Sequence, residues 1–315
     1  IDNLLRTAAE AYGERLIAVI LTGTGSDGTS GAHHVKAHDG TVIIQDPRTA
    51  EFSSMPRSLA PTSVDFVRDL DDIGELLSTL VTDPESLAPQ LMDDETSLQS
   101  FLKHVQSESN IDFSQYKTPT ILRRLNRRLV ATNTRSLEDY SSYLRRNPEE
   151  YHHLISSFLI KVTEFFRDPE LFDHLRYELF PRIIADARQR GNRIRLWSAG
   201  CATGEEAYSL AIMLAEALGD ELPQFNIRIF ATDIDGSAIT FARRGVYPRA
   251  ALSEVPQDLV DRYFTGVDNE YEIKKQIRSM VVFGLHDLAQ RSPFPSIDLI
   301  LCRNVLIYFA SELQR

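Results

Sequence analysis

The chain has 315 residues, 43% hydrophobic and 25% charged, an ordinary globular composition with room for two or three cores. Its 45 acidic side chains outnumber the 34 basic ones, and the net charge of −11 excludes a general nucleic-acid binder. The two cysteines, Cys201 and Cys302, lie far apart in no metal-ligand spacing, which excludes a disulfide framework and favours a reducing, cytoplasmic setting.

Residues 16–22 (LIAVILT) predict a buried strand that runs into the glycine-rich turn GTGSDG at 23–28. A helical stretch to about His38, a turn at Gly40 and strands over 41–45 and 64–67 follow, the alternation of a parallel α/β sheet. The apolar run at 16–21 is far too short to insert into a membrane. Residues 82–98 are polar, carry two prolines and read as a linker. From Phe101 to about Phe166 apolar residues recur at three- and four-residue spacing: Phe101/Leu102/Val105, Ile121/Leu122/Leu125/Leu129, Tyr140/Tyr143/Leu144 and Leu154/Phe158/Leu159. That spacing predicts a small bundle of short helices. From Ile194 strands and helices alternate again, with strands over 194–197, 227–232, 280–283 and 297–302 and helices over 205–218 and 237–244. Such an order suggests a doubly wound sheet with its ligand at the carboxyl ends of the strands.

Charge is uneven. Residues 1–90 hold 14 acidic and 6 basic side chains, whereas residues 101–146 hold 4 acidic and 9 basic ones. Arg123, Arg124, Arg127 and Arg128 fall on one predicted helix, and the spacing puts Arg124, Arg127 and Arg128 on a face opposite Leu122, Leu125 and Leu129. This face suits an acidic docking partner; the plainer reading is a solvated helix surface.

The stretch LWSAGCATGEEAYSLAIML beginning at Leu196 joins a strand to a helix through Gly200 and Gly204. Glycines let a ligand approach the backbone, and the helix start offers unpaired N–H groups. A dinucleotide site wants G-x-G-x-x-G; here the third glycine is missing and Glu205 and Glu206 open the helix, where they would repel a pyrophosphate. Asp233, at the end of the next strand, is placed to accept vicinal ribose hydroxyls. A nucleoside with positive charge and no phosphate, such as S-adenosyl-L-methionine, fits this set. Taken singly, the glutamates also serve the helix dipole and Asp233 a turn cap.

Four motifs in this order, TEFFRD from Thr163, WSAGCATGEEAYS from Trp197, ATDID from Ala231 and CRNVLIYF from Cys302, resemble the chemotaxis receptor methyltransferases of the CheR type. The resemblance implies an enzyme that O-methylates glutamate side chains of methyl-accepting chemotaxis receptors. It implies cofactor contacts at Thr163, Arg167, Gly200, Glu205, Glu206, Asp233, Asp287, Leu288, Arg303 and Asn304, with Arg167 and Tyr308 beside the chemistry and the arginine-bearing helix meeting acidic receptor helices. Lys161 stands where an asparagine is common and Ala207 where a proline is common. Residues 1–81 resemble the carboxyl end of the CheB-type methylesterases through LTGTGSDGTSG, QDPRTAEF and Met55-Pro56. There Asp27 matches the aspartate that orients the histidine of a Ser-His-Asp triad, the backbone at Thr24 would lie by the oxyanion hole, and the serine and histidine are expected upstream of Ile1. His33, His34 and His38 follow on a helix and read as surface or core residues, so Asp27 is vestigial here and no esterase activity is expected.

The expected organisation is therefore α/β overall. A partial parallel-sheet methylesterase piece (1–81) and a linker (82–98) precede an all-helical domain (99–165), and a class I, Rossmann-like S-adenosylmethionine-dependent methyltransferase domain (166–315) ends early. The chain reads as a fragment of a CheB/CheR fusion that continues into further signalling domains.

Overall fold

A computed structural model describes residues 1–59, 63–82, 95–109, 111–159, 163–267, 270–310 and 314. Most of the expected linker and Lys161 lie outside the described residues.

The amino-terminal unit contains α1 (Asp2–Tyr12), β1 (Ile17–Ile20), α2 (Thr29–Ala37), β2 (Thr41–Gln45), β3 (Phe66–Arg68) and α3 (Leu70–Thr82). Its strands form a parallel sheet in the order β1-β2-β3. All five residues of β2 are buried, as expected of a central parallel strand covered on both faces. Asp2 Oδ1 accepts the N–H groups of Gly28 (3.0 Å) and Gly31 (2.6 Å), so α1 caps the amino end of α2. Neither α1 nor α3 is anticipated from the sequence.

The helical unit is α4 (Glu95–Ser109), α5 (Thr118–Ala131), α6 (Leu137–Arg146) and α7 (Glu149–Phe158). Its core holds the apolar residues that the spacing picks out, except that Tyr143 and Leu159 are only half-buried. Ser136 caps α6 by accepting the N–H of Asp139 at 3.1 Å. Inside the bundle Arg128 reaches Glu150 through two hydrogen bonds of 2.8 and 2.7 Å, and the Tyr140 hydroxyl adds a third to the same carboxylate at 2.8 Å. Both charged side chains are 7% exposed.

The arginine face is not free. Arg128 lies over the Phe66 ring at 5.5 Å, Arg68 donates to the Ala131 carbonyl at 3.2 Å, and α3 packs against α5. Arg123 pairs with Asp39 at 2.8 Å and Glu14 at 3.2 Å, and Arg127 donates to the Asp39 carbonyl. Arg124 donates to the Ser157 carbonyl at 2.8 Å and is 9% exposed in its side chain. The expectation that these arginines dock a receptor helix is thus corrected: the acidic amino-terminal unit covers Arg123 and Arg127, and Arg124 and Arg128 are buried. Helical spacing gives the face on which a residue sits but not what already covers it.

The carboxy-terminal unit opens with α8 (Pro169–His174), a π turn (Leu175–Leu179) and α9 (Phe180–Gln189). There follow β4 (Arg193–Ala199), α10 (Glu205–Leu218), β5 (Asn226–Asp233), α11 (Gly236–Arg244), β6 (Val246–Pro248), α12 (Gln257–Tyr263), β7 (Phe264–Val267), β8 (Glu270–Ile273), β9 (Val281–Leu285) and β10 (Leu299–Leu301). The main sheet is parallel in the order β10-β4-β5-β9. Strand order reverses beside β4, the arrangement that opens a crevice at the carboxyl ends. A small antiparallel sheet, β6-β8-β7, sends Tyr247, Phe264 and Ile273 into the core shared with α10. Its strands of three or four residues carry too little alternation to be read from sequence.

The buried ion pair makes the helical unit sensitive to one truncation. Glu150→Ala leaves Arg128 buried without its counter-charge and is expected to cost about 3–5 kcal/mol. Urea unfolding followed by circular dichroism reads this; a loss below ~1 kcal/mol would mean that water replaces the carboxylate.

Candidate functional site

Four loops meet at the carboxyl edge of the main sheet, one after each of β4, β5, β9 and β10. They line a cleft that is partly open to solvent. The strand that precedes each loop fixes one wall: Gly200 and Ala202 after β4, Asp233 and Ile234 after β5, His286 to Leu288 after β9, and Arg303 to Val305 after β10. Thr163 and Arg167 contribute from the segment before α8. Tyr116, Phe158 and Leu159 of the helical unit close the remaining side, together with Phe309.

The turn after β4 is held tightly. Gly200 has φ +78°, and a Cβ there would lie 2.3 Å from Val305 Cγ2, so glycine is required both by conformation and by the approach of the loop after β10. Ala202 also has positive φ (46°) and donates its N–H to Asp233 Oδ2 at 2.8 Å. Asp233 Oδ1 accepts the Asp235 N–H at 2.9 Å, and Asp235 in turn caps α11. Asp233 is therefore both a turn-organising carboxylate and a cleft residue. Asn304 (φ 54°), which lines the cleft, shares this backbone conformation, uncommon for residues with side chains, as do Phe166 (φ 54°) and Asp168 (φ 61°) on either side of Arg167.

Charge is sorted within the cleft. Glu206 accepts the Ser198 hydroxyl at 2.6 Å and lies 3.5 Å from Arg303, which also pairs with Asp168. Burial pushes the Glu206 carboxyl above its usual range, opposed by the Ser198 hydrogen bond and by Arg303 and Arg167. Asp287 Oδ1 accepts the Ala289 N–H at 2.8 Å, and Asp287 and Asp233 both bear electrostatically on the Tyr116 hydroxyl. One region thus carries two guanidinium groups with a carboxylate, and another carries two carboxylates with a phenol.

Of the sequence-predicted residues, Thr163, Arg167, Gly200, Glu206, Asp233, Asp287, Leu288, Arg303 and Asn304 line the cleft. Glu205 does not, and its expected cofactor contact is corrected. It is 5% exposed and turns inward to accept the Thr203 hydroxyl at 2.8 Å. Adjacent helical residues project about 100° apart, so only one of two consecutive glutamates can face the cleft. Burial raises its carboxyl to about 8. The Tyr308 side chain lies outside the described residues; its backbone is in the short helical turn Leu306–Tyr308. Phe165 is buried against Tyr247 at 4.9 Å, away from the cleft. Asp27, exposed at the far turn, accepts the Ile1 amine at 2.8 Å and the Asp2 N–H at 3.0 Å. His34 and His38 are tied to backbone carbonyls of their own helix at 2.9 Å. Sequence reasoning missed Tyr116, Phe158 and His286; of these, His286 adjoins Asp287 in sequence and Tyr116 carries no motif signal.

The comparisons with known proteins agree with this geometry. The S-adenosylmethionine-binding domain of CheR methyltransferase matches residues 161–315 and its all-α domain residues 96–159. A chemotaxis protein methyltransferase of Borreliella burgdorferi is 33% identical, over 67% of this chain and 77% of its own length. The chain belongs to the CheR chemotaxis methyltransferase family. A second relative, chemotaxis protein methyltransferase 2 of Pseudomonas aeruginosa, is 35% identical over 65% of this chain and 73% of its own. The CheB methylesterase family matches residues 1–77. The Thermotoga maritima CheB methylesterase catalytic domain is 45% identical over 24% of this chain and 41% of that one, with a TM-score of 0.24. A 104.1 kDa protein from the hypE 3′ region of Rhodobacter capsulatus is 34% identical along all of this chain, which spans only 36% of its length.

S-adenosyl-L-methionine is the family's cofactor, and the donor set fits it. The guanidinium groups of Arg167 and Arg303 suit an amino-acid carboxylate, Glu206 an ammonium, and Asp233 and Asp287 the hydrogen-bond donors of a nucleoside. The Nδ1 atom of His286, a buried cleft residue, has no hydrogen-bond partner among the described residues, so a polar ligand atom can satisfy it. No helix among the described residues is long and apolar enough to cross a membrane, and no group of metal-ligating side chains is found among them.

The Glu205 carboxyl gives a pH signature. Its folded pKa lies near 8, above the usual carboxylate value of 4.5, so the folded state holds the extra proton and stability falls as pH rises from about 4.5 to 8. Glu205→Gln keeps an acceptor for Thr203 and removes the titration. Thermal unfolding between pH 5 and 9 is expected to show a flatter profile for the variant and a higher midpoint than the parent at pH 8; superimposable profiles would mean that Glu205 is ionised throughout.

Proposed function

We propose that this chain is the catalytic part of a protein-glutamate O-methyltransferase that modifies methyl-accepting chemotaxis receptors in the cytoplasm. In this reading it belongs to a longer polypeptide in which a methylesterase-like piece (1–81) is joined by a linker (82–98) to the helical domain (99–165) and the methyltransferase domain (166–315). The observation that carries the reading is the cleft at the strand-order reversal, where Glu206 lies with Arg303 and Arg167 in one region and Asp233 with Asp287 in another.

S-adenosyl-L-methionine would supply an electrophilic methyl group on a sulfonium. A glutamate side chain, with an ordinary pKa of about 4.3, arrives already ionised and needs no general base. The protein's tasks are alignment and the exclusion of water from a pair of opposite charges. Arg167 and Arg303 fix the amino-acid end of the cofactor, Glu206 its ammonium and Asp233 its ribose. Phe158, Leu159 and Val305 supply apolar walls that keep water out. Tyr308 is assigned to the incoming carboxylate by its place in CRNVLIYF.

Transfer of labelled methyl to receptor signalling-domain fragments tests this reading, with the full-length gene product as enzyme. Base-labile label on glutamate is the expected result, and Asp233→Ala should reduce transfer at limiting cofactor by tenfold or more, the loss of a hydrogen-bonded charge. Cofactor binding without any transfer would instead make the protein a sensor.

A further inference from the structure

Tyr116 belongs to the helical unit, just after the short turn Phe113–Gln115 and before α5. It nevertheless lines the cleft formed by the other domain. Its ring packs edge-on against Phe309 at 5.2 Å and tilts against Phe113 at 5.3 Å, and its backbone forms an antiparallel bridge with Phe309. Ring and backbone are thereby held in place, which positions the hydroxyl at the cleft.

That hydroxyl has no hydrogen-bond partner among the described residues, although the ring is largely packed. Burial, and then the carboxylates of Asp287 and Asp233, push its ionisation above the ordinary tyrosine range. A neutral phenol is thus held as a donor in the region where the two carboxylates already accept. A ligand there meets acceptors on one side and a donor on the other, which suits a ribose or nucleobase with both kinds of group.

We propose that Tyr116 is a cofactor-binding residue lent by the helical unit, its hydroxyl donating to the nucleoside held by Asp233 and Asp287. The proposal rests on the S-adenosylmethionine reading of the cleft. It makes the nucleoside pocket a two-domain site, closed only when the Tyr116–Phe309 seam is formed.

Calorimetry on the full-length gene product tests it, with S-adenosylhomocysteine and separately adenosine as probes. Tyr116→Phe preserves the ring contacts and removes only the donor. It is expected to weaken both probes by about five- to tenfold, the value of one hydrogen bond, while leaving the ligand-free melting temperature unchanged. Equal affinities for parent and variant would overturn the role of Tyr116 alone, as would a fall in ligand-free melting temperature that accounts for the weaker binding. Absence of binding by the full-length parent protein would overturn the cofactor reading itself, and the proposal with it. Tyr116→Ala should weaken binding further and increase hydrogen exchange in residues 305–310, because it also opens the seam.

Discussion

The hydrogen bond from the Ala202 N–H to the Asp233 carboxylate is the interaction on which the site depends. It ties the loop after β4 to the loop after β5, two neighbours in a parallel sheet whose register runs from Arg193↔Asn226 to Ala199↔Thr232. Because the strands are parallel and in register, their ends are level and the loops that leave them can share groups. Backbone N–H groups of Gly200 and Cys201 both donate to the Thr232 carbonyl, at 2.7 and 2.9 Å, which locks the glycine turn against the same strand end. The turn then bends through positive φ at Gly200, Ala202 and Gly204 before α10 begins. Without these cross-loop bonds a carboxylate at this position would have no reason to face the cleft.

A second level of order comes from how the units meet. The helical unit touches the amino-terminal unit through its arginines and the methyltransferase unit through Tyr116 at Phe309, with Phe158 and Leu159 lining the shared cleft. The contact with the amino-terminal unit is electrostatic and partly buried: Lys36 and Asp65 pair at 2.6 Å close to Arg127, whose own charge is discouraged by burial. His33 of α2 stands near enough to Arg167 for that cation, together with burial and His34, to lower its pKa to about 4. It is neutral at physiological pH, which suits a histidine placed beside a guanidinium. The methylesterase-like piece is thereby built into the framework around the cleft.

The chemistry read from these residues is modest in what it asks of side chains. The cleft offers carboxylates and arginines for a zwitterionic nucleoside, and apolar walls around the position of reaction. Cys201, the thiol nearest the turn, is held protonated by burial and by the carboxylates around it, and so is no nucleophile. An arrangement of carboxylate acceptors and guanidinium groups around apolar walls fits transfer to an oxygen that is already anionic.

The strands of both parallel sheets, the helix over Glu205–Leu218 and the helical bundle were legible in the sequence, because burial imposes periodic apolar patterns that survive in the order of residues. The glycine turn, Asp233 and the paired glutamates were legible as well, since close backbone approach and carboxylate placement follow from residue type at a strand end. Which glutamate faces the cleft was decided only by the rotation of α10 relative to the sheet. That Arg124 and Arg128 are buried was decided by Ser157, Glu150 and Phe66, distant partners that no local spacing encodes. Tyr116 likewise reaches the cleft only because two domains close against each other. Local sequence determined which groups exist and which secondary structure carries them; contacts between residues far apart in the chain decided which of those groups face one another.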